Sequence, residues 1–174
     1  MSTMNKENFI TCDLLDANPN SQVCLPNIEG KSFYSFGGKE RFCGQIVTVK
    51  CFEDNSRVKE LLNSQGTDEK GEGKVLVVDG GGSMRCALLG DMIAQSAIDN
   101  GWAGVVVYGC VRDVDDMAQM DIGVMALGCI PRKSTRRGEG QTDLEIRFGD
   151  MVLNSGMYLY ADNNGMIASE EPLL

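Results

Sequence analysis

Three short runs of consecutive apolar residues occupy the middle of the chain. They cover residues 74–79, 104–109 and 124–127. Short continuous apolar runs are typical of strands that are buried on both faces, as in a parallel sheet. The pattern therefore predicts three buried strands that follow one another along the chain.

Segments with helical spacing separate these runs. One helix is predicted to begin near Gly90-Asp91 and to end before Asn100-Gly101, because its apolar residues recur at intervals of three and four. A short acidic helix is predicted over residues 113–120. Strand, helix, strand, helix, strand is the order found in βαβ units, whose strands are parallel.

The two ends of the chain alternate more and contain more turn residues. After Gly138 the alternation indicates antiparallel strands, and Asn163-Asn164-Gly165 is typical of a hairpin turn. Before the middle, the pattern predicts a helix over 9–15, a strand over 44–52, and a helix that starts within residues 54–56 and ends before residue 66. After the middle, it predicts strands over 144–148 and 151–153, and a hairpin formed by residues 158–162 and 166–168. We predict a single α/β domain over residues 1–174, with a parallel middle and antiparallel C-terminal strands.

Composition then limits the chemistry, because the 174 residues include no histidine. A Ser-His-Asp or Cys-His catalytic group and a His-ligated metal site cannot be built within this chain. Acid–base or metal chemistry must use Asp, Glu, Cys, Lys, Arg, Tyr or water. The 25 acidic and 16 basic residues give a net charge of −9, which argues against a protein that binds nucleic-acid backbones.

The seven cysteines form no C-x-x-C pair, and their number is odd. This indicates reduced thiols in a cytosol-like compartment. Residues 1–16 lack the basic and apolar regions of a signal peptide, and no apolar stretch is long enough to span a membrane. We expect a cytoplasmic protein.

Two local features each allow two interpretations. Residues 80–85 are rich in glycine after a strand, yet they fit neither G-x-G-x-x-G nor the P-loop, so a tight turn is favoured over a nucleotide site. The cationic side chains of Arg132, Lys133, Arg136 and Arg137 indicate either a solvated loop or contact with an anionic substrate or partner.

A stronger candidate site combines Asp91 with Arg112 and Asp113. Ligands of parallel α/β sheets bind beyond the carboxyl ends of strands, where residues 80–82 and 109–113 are predicted to lie. The backbone N–H groups of residues 90–93, at a helix N-terminus, suit a carboxylate ligand, and an arginine can clamp one. Helix capping by Asp91 and an ordinary surface Arg–Asp pair remain the alternative.

The segments that surround these residues resemble the RraA family, whose name stands for regulator of ribonuclease activity A. The resemblance rests on VLVVDGGGS at 75–83, YGCVRDVDD at 108–116, GQIVTVKCFEDN at 44–55 and LYADN at 159–163. The family is related to class II 4-hydroxy-4-methyl-2-oxoglutarate aldolases. The resemblance implies a swivelling β/β/α sandwich and a ring-shaped homotrimer, or a dimer of trimers, with sites between subunits.

The aldolase branch of this family has an Asp, twenty intervening residues and then Arg-Asp, which here match Asp91, Arg112 and Asp113. The resemblance implies a divalent metal, Mg²⁺ or Mn²⁺, held by Asp113 and less certainly by Asp116. It also implies that Arg112 and Asp91 serve catalysis, and that Gly90, Asp91, Met92, Ile93 and Arg112 bind the substrate. The implied reaction is aldol cleavage, or oxaloacetate decarboxylation, of a 2-oxo acid through a pyruvate enolate.

A non-enzymatic alternative comes from the bacterial regulators in the same family. It implies inhibition of an RNase E-type endoribonuclease, or of a DEAD-box helicase, by direct protein binding without contact to RNA. The acidic balance of the chain suits a basic partner surface. A menaquinone-pathway methyltransferase, an older label in this family, finds no support, because the chain lacks a glycine pattern for the methyl donor.

Overall fold

A computed structural model describes residues 3–174 of the chain. The helices are α1 (Thr11–Ala17), α2 (Ser56–Leu62), α3 (Asp91–Asp99) and α4 (Val114–Met117). The strands are β1 (Gln22–Val23), β2 (Tyr34–Ser35), β3 (Phe42–Lys50), β4 (Val75–Asp79), β5 (Ala87–Leu89), β6 (Gly104–Val111), β7 (Gly123–Cys129), β8 (Gln141–Thr142), β9 (Ile146–Phe148), β10 (Met151–Leu153), β11 (Tyr158–Asp162) and β12 (Gly165–Ser169).

A ten-stranded mixed sheet forms the centre of this fold. Its main path runs β1-β12-β11-β3-β4-β6-β7-β2, while β5 pairs with β6 and β8 pairs with β3. Strands β3, β4, β6 and β7 are parallel to their neighbours in that group, and β11 and β12 are antiparallel to theirs. The predicted parallel middle and antiparallel C-terminal hairpin are therefore confirmed.

Two different layers cover the faces of the sheet. Helices α2, α3 and α4 bury one face, with Val58, Leu62, Ile93, Ala97 and Met117 in its apolar core. The hairpin of β9 and β10 covers part of the other face, where its side chains pack against those of β3, β4 and β6. The order helix, sheet, sheet is the expected β/β/α sandwich.

The acidic helix is shorter than the sequence pattern predicts. It covers only Val114–Met117 instead of residues 113–120, and Asp113 precedes it in the left-handed region, at φ 56°. The carbonyl of Met120 accepts the N–H groups of Gly38 and Ile122, and this bonding replaces a further helical turn. Beyond Met117 the backbone bonds join residues three apart, from the Gln119 N–H to the Asp116 carbonyl and from the Met120 N–H to the Met117 carbonyl, both at 3.0 Å.

All seven cysteines are free thiols, and five of them are buried. Burial raises the pKa of Cys51 to about 12 and the pKa values of Cys24 and Cys43 to about 11. These three thiols therefore stay protonated at neutral pH and serve as small apolar core residues. Within residues 3–174, no helix is both long and apolar enough to cross a bilayer.

A buried carboxylate joins α1 to the C-terminal hairpin. Asp162 accepts hydrogen bonds from the Thr11 N–H at 2.8 Å, the Thr11 hydroxyl at 2.7 Å and the Asn164 N–H at 2.8 Å. Burial raises the pKa of Asp162, but these hydrogen bonds outweigh that effect and hold the pKa below its usual value. The ionised carboxylate therefore stabilises the packing of α1.

We predict that Asp162→Asn lowers the free energy of unfolding at pH 7 by about 1–3 kcal/mol, because a charged acceptor of three hydrogen bonds is lost. The folded-state pKa lies below the value of about 3.9 in an unfolded chain, so this contribution is complete above that value. It disappears as the pH falls through the folded-state pKa. Between pH 7 and pH 3, the free energy of unfolding measured in urea should decrease less for the variant than for the wild type.

Asp16→Asn is the matched control, because Asp16 lies on the exposed side of the same helix. Its unfolding free energy should follow the wild type at every pH. If the free energy of unfolding decreases equally for the wild type and Asp162→Asn between pH 7 and pH 3, the assigned role of Asp162 is wrong.

Candidate functional site

The candidate site forms where the three-residue strand β5 and the parallel strand β6 end side by side. Ala87 of β5 pairs with Cys110 of β6, Leu89 pairs with Val111, and the Arg112 N–H donates to the Leu89 carbonyl at 2.9 Å. The residues that follow each strand therefore meet. This pairing brings residues 90–91 beside residues 112–113, although 20 residues separate Asp91 from Arg112 in the sequence.

Two charged side chains and the backbone of Asp91 meet at this point. The Asp113 Oδ2 accepts the Asp91 N–H at 3.2 Å and lies 3.5 Å from the Arg112 Nε. The Arg112 Nη1 donates to the Pro131 carbonyl at 3.3 Å, which orients the guanidinium. About a third of each of the Arg112 and Asp113 side chains is exposed, so both can reach a ligand. The predicted cluster of Asp91, Arg112 and Asp113 is thus one contiguous group.

Gly90 lies at the centre of this group, where any larger residue would have to displace its neighbours. A Cβ at residue 90 would lie 2.6 Å from the Asp113 Oδ2 and 3.3 Å from the Arg112 Cγ. The backbone of Gly90 is extended, at φ −135° and ψ −173°, so its conformation alone does not require glycine. The requirement comes from the close approach of the Asp113 carboxylate.

The first turn of α3 presents its backbone N–H groups to the same region. The Asp91 Oδ1 accepts the Met92 N–H at 2.8 Å, so Asp91 does cap its own helix. In the part of the chain that the structure describes, the N–H groups of Gly90 and Ile93 have no hydrogen-bond acceptor. The Met92 side chain is 81% exposed and that of Ile93 is buried in the core. Any ligand contact of Ile93 must therefore use the backbone.

Asp116 is less closely connected to this group. It lies exposed on α4, whereas Asp113 precedes that helix in a left-handed conformation. Residues three positions apart share one face only when both lie within a helix, so Asp113 and Asp116 do not share a helical face here. A metal-binding role for Asp116 stays a prediction.

The carboxylate of Asp113 fits a hard cation, but it would need other ligands. Its Oδ1 makes no hydrogen bond within residues 3–174, and the same residues contain no cluster of three acidic or cysteine side chains able to hold a metal. Mg²⁺ commonly uses one or two protein carboxylates and completes its shell with water and substrate oxygens. The residues present are consistent with that kind of site.

An open groove leads away from these residues. Its first part, of about 380 Å³, is lined by Arg112, Asp113, Val114, Cys129, Ile130 and Pro131. A second part shares Arg112, Ile130 and Pro131 with the first and adds Met84, Arg85, Arg132 and Lys133. One end of the groove therefore carries both a base and an acid, Arg112 and Asp113. The other end carries two bases, Arg132 and Lys133.

The structure divides the predicted cationic cluster into two pairs. Arg132 and Lys133 line the groove, whereas Arg136 donates from its Nε to the Asn55 Oδ1 at 3.1 Å. The backbone N–H of Arg137 donates to the Asp54 Oδ2 at 2.6 Å, and its side chain is exposed. Only the first pair is placed to contact a ligand in the groove.

A buried aspartate holds the loop that carries these cations. Asp54 accepts hydrogen bonds from the Ser56 N–H at 2.9 Å and the Thr135 hydroxyl at 3.4 Å, besides that from Arg137. Burial raises the pKa of Asp54, but these hydrogen bonds lower it by a larger amount. The pKa of Asp54 therefore lies below its usual value. The sequence pattern predicts Asp54 only as part of a helix start, and no sequence signal indicates its contact with this loop.

The glycine-rich turn after β4 is a tight turn rather than a phosphate cradle. The N–H groups of Gly80 and Gly82 both donate to the Tyr108 carbonyl at 3.1 Å, and the Gly81 N–H donates to the Asp79 Oδ1 at 2.9 Å. Gly81 and Gly82 have positive φ angles of 67° and 69°. All three N–H groups are thus already hydrogen-bonded, two of them to β6, which agrees with the interpretation favoured from the sequence.

Comparison with known proteins agrees with this fold. The family model described as "RraA-like: Aldolase/RraA" matches residues 11–168. The chain therefore belongs to the RraA-like family. A similar protein of Acinetobacter baylyi is 56% identical, and the match covers 95% of this chain and 96% of that protein. A similar protein of Alcanivorax borkumensis is 58% identical, and the match covers 95% of this chain and 99% of that protein. Both are named provisionally as 4-hydroxy-4-methyl-2-oxoglutarate aldolases.

Two solved structures have the same fold at substantial identity. The RNA-processing inhibitor RraA from Thermus thermophilis superposes with a TM-score of 0.86 at 41% identity, over 95% of this chain and 94% of its own. A structure from Geobacillus kaustophilus is named as an S-adenosylmethionine: 2-dimethylmenaquinone methyltransferase. It superposes with a TM-score of 0.85 at 43% identity, over 95% of this chain and 97% of its own. The names of these relatives therefore cover several activities.

We predict that Gly90→Ala disrupts the site more than the fold. The new methyl group would displace the Asp113 carboxylate or the Arg112 side chain, and a displacement of about 1 Å can lower a reaction rate about 10²-fold. The free energy of unfolding should change by no more than about 1–3 kcal/mol. Turnover of a 2-oxo acid and the urea unfolding midpoint are the two measurements.

Gly109→Ala, on the neighbouring strand, is the matched control. A Cβ there would lie 3.5 Å from the Leu88 Cδ1 and the Val107 Cγ1, which is ordinary contact. This variant should retain wild-type turnover. If Gly90→Ala is as active as Gly109→Ala, residue 90 is not part of the site.

Proposed function

We propose that this protein is a divalent-metal-dependent lyase that cleaves 4-hydroxy-4-methyl-2-oxoglutarate and decarboxylates oxaloacetate. The observation that carries the proposal is the joint position of Gly90, Asp91, Arg112 and Asp113 at the carboxyl ends of β5 and β6. The names of the relatives support the same reaction class. A cleft at this edge of a parallel sheet is where ligands usually bind.

The reaction can be written as a balanced retro-aldol cleavage. The C4 hydroxyl loses its proton, the C3–C4 bond breaks, and C4 becomes the ketone carbon of one pyruvate. The electron pair of the broken bond moves toward the C2 oxygen, so the other half leaves as a pyruvate enolate. Protonation of that enolate at C3 gives the second pyruvate.

The residues of this chain would divide the work as follows. Arg112 would donate to a substrate oxygen and stabilise the negative charge that develops on the enolate. The backbone N–H groups of Gly90 and Ile93, which have no acceptor within residues 3–174, would bind the C1 carboxylate. Asp91, whose carboxylate accepts the Met92 N–H, would hold the first turn of α3 in position.

Asp113 would hold the cation through its Oδ1, and Asp116 would assist through a water molecule. A bound Mg²⁺ or Mn²⁺ would act as a Lewis acid toward the carboxylate and keto oxygens of the 2-oxo acid. The chain contains no histidine, and the proton of the C4 hydroxyl would leave through a water molecule held by carboxylates.

We further propose that the chain works as a single domain in a homotrimer, or in a dimer of trimers, with sites between subunits. Support comes from the open groove beside Arg112 and from the exposed Met92 at the edge of the site, which an adjacent subunit would cover. The free cysteines support a reducing, cytoplasmic location.

Metal-dependent turnover is the direct test. We expect the wild type to decarboxylate oxaloacetate with Mg²⁺ and to lose that activity in excess chelator. Asp113→Asn should lower turnover about 10²-fold or more, because the anionic ligand is removed while an oxygen acceptor for the Asp91 N–H remains. Pyruvate release measured by a coupled assay, with a metal-free blank subtracted, checks this.

Asp115→Asn is the matched control, because Asp115 lies exposed on α4 two residues from Asp113. This variant should retain wild-type turnover and the same dependence on Mg²⁺ concentration. No chelator-sensitive turnover by the wild type would overturn the enzyme proposal.

A second candidate function is inhibition of an RNase E-type endoribonuclease, or of a DEAD-box helicase, by direct binding. The observation that favours it is the similarity to the Thermus structure named as an RNA-processing inhibitor, at a TM-score of 0.86. The net charge of −9 would favour association with a basic segment of such a partner and disfavour contact with RNA.

We predict salt-sensitive binding to the basic scaffold region of an RNase E-type enzyme if this second function operates. Complex formation should weaken strongly between about 50 and 300 mM salt, since the Debye length shortens over that range. Asp113→Asn should bind as well as the wild type. Analytical ultracentrifugation without RNA present is the measurement, and the lack of a complex at low salt would contradict the prediction.

A further inference from the structure

We propose that the basic end of the groove binds the second carboxylate of the substrate, the one at C5 of 4-hydroxy-4-methyl-2-oxoglutarate. Arg132 and Lys133 would hold it, and Arg85 would assist. The proposal rests on the proposed function, since it assigns a specificity site within the same groove. It predicts selection for 2-oxo acids that carry a second negative charge.

The position of these cations relative to Arg112 is the first argument. Arg112, Ile130 and Pro131 lie in both parts of the groove, whereas Asp113 lines only the first part and Arg132 and Lys133 line only the second. A ligand in the groove can therefore contact Arg112, the apolar side chains of Ile130 and Pro131, and the cations of Arg132 and Lys133. The substrate offers matching groups, because its C1 and C5 carboxylates flank a carbon skeleton with a methyl group.

The second argument is that the segment carrying the cations is held in place. The Arg132 carbonyl accepts the Ala87 N–H at 2.8 Å, and the Ser134 N–H donates to the Ala87 carbonyl at 3.2 Å. This segment thus forms a parallel bridge to β5, the strand that leads into Gly90. The two ends of the groove are attached to the same strand, so the distance between them is set by the sheet.

Asp54 fixes the same segment from its other side. Its carboxylate accepts the hydroxyl of Thr135 and the N–H of Arg137, and the Thr135 N–H donates to the Glu53 carbonyl at 3.0 Å. Residues 132–137 are therefore held at both ends rather than free in solvent. A binding site whose backbone is held in this way loses little conformational entropy when it binds.

The third argument is the absence of neutralising partners for two of the cations. Within residues 3–174, the side chains of Arg132 and Lys133 form no ion pair and no hydrogen bond, whereas Arg85 is paired with Glu53 at 2.6 Å. The chain as a whole carries a net charge of −9. Arg132 and Lys133 are therefore two adjacent unpaired cations in the lining of the groove, where they can neutralise an anionic group.

The test separates reactions that need the second carboxylate from those that do not. Cleavage of 4-hydroxy-4-methyl-2-oxoglutarate needs it, while exchange of the C3 protons of pyruvate in heavy water uses only the Arg112–Asp113 end. We expect Arg132→Gln combined with Lys133→Gln to lower kcat/KM for cleavage about 10- to 100-fold, mainly through KM. The rate of proton exchange, followed by NMR with Mg²⁺, should stay within about twofold of the wild type.

Two further variants complete the experiment. Arg132→Lys combined with Lys133→Arg keeps both charges and should retain most of the cleavage activity. Arg137→Gln removes a cation from the same loop but outside the groove, so it should behave as the wild type. An activity loss in Arg137→Gln as large as in the double glutamine variant would overturn the subsite, since overall charge would then explain the effect.

The remaining outcomes separate this inference from the proposed function. If the wild type performs both reactions and the double glutamine variant still cleaves normally, the subsite is wrong while the lyase function stands. Equal loss of cleavage and exchange in that variant would also overturn the subsite. A wild type that neither cleaves the substrate nor exchanges pyruvate protons would overturn the lyase function and the subsite together.

Discussion

The pairing of β5 with β6 is the interaction on which the candidate site depends. Two residue pairs join these strands, and just beyond them the Arg112 N–H donates to the Leu89 carbonyl. That contact nevertheless brings the N-terminus of α3 beside Asp113, and the other edge of β5 holds Arg132 and Lys133. A strand of three residues thus positions both ends of the groove.

Close packing at the site explains why its parts act together. The Asp113 carboxylate accepts a backbone N–H from residue 91, approaches Arg112 and leaves no space for a side chain at residue 90. A change at any of these positions shifts the others, because the atoms are already in contact. The same geometry accounts for the left-handed conformation of Asp113, which turns the chain from β6 into α4 while its side chain faces Gly90.

The family to which the chain belongs includes proteins named for different activities, and the fold alone does not choose among them. The choice comes from the site. Within residues 3–174, the Asp113 carboxylate has an oxygen without a hydrogen bond, an arginine lies beside it, and two nearby backbone N–H groups have no acceptor. These features suit a chelating 2-oxo acid that supplies metal ligands of its own. A protein-binding function would use other surfaces, so the two candidate functions can coexist in one chain.

The sequence by itself determined the parallel middle, the C-terminal hairpin and the pairing of Asp91 with Arg112 and Asp113, because apolar runs, turn residues and the family resemblance are local signals. Only the tertiary structure decided that β5 exists, that α4 stops after one turn, and that Arg132 and Lys133 face the groove while Arg136 and Arg137 do not. Those features depend on hydrogen bonds between segments far apart in the chain. Strands as short as β5 have too few residues to show a pattern, so their neighbours in space determine them.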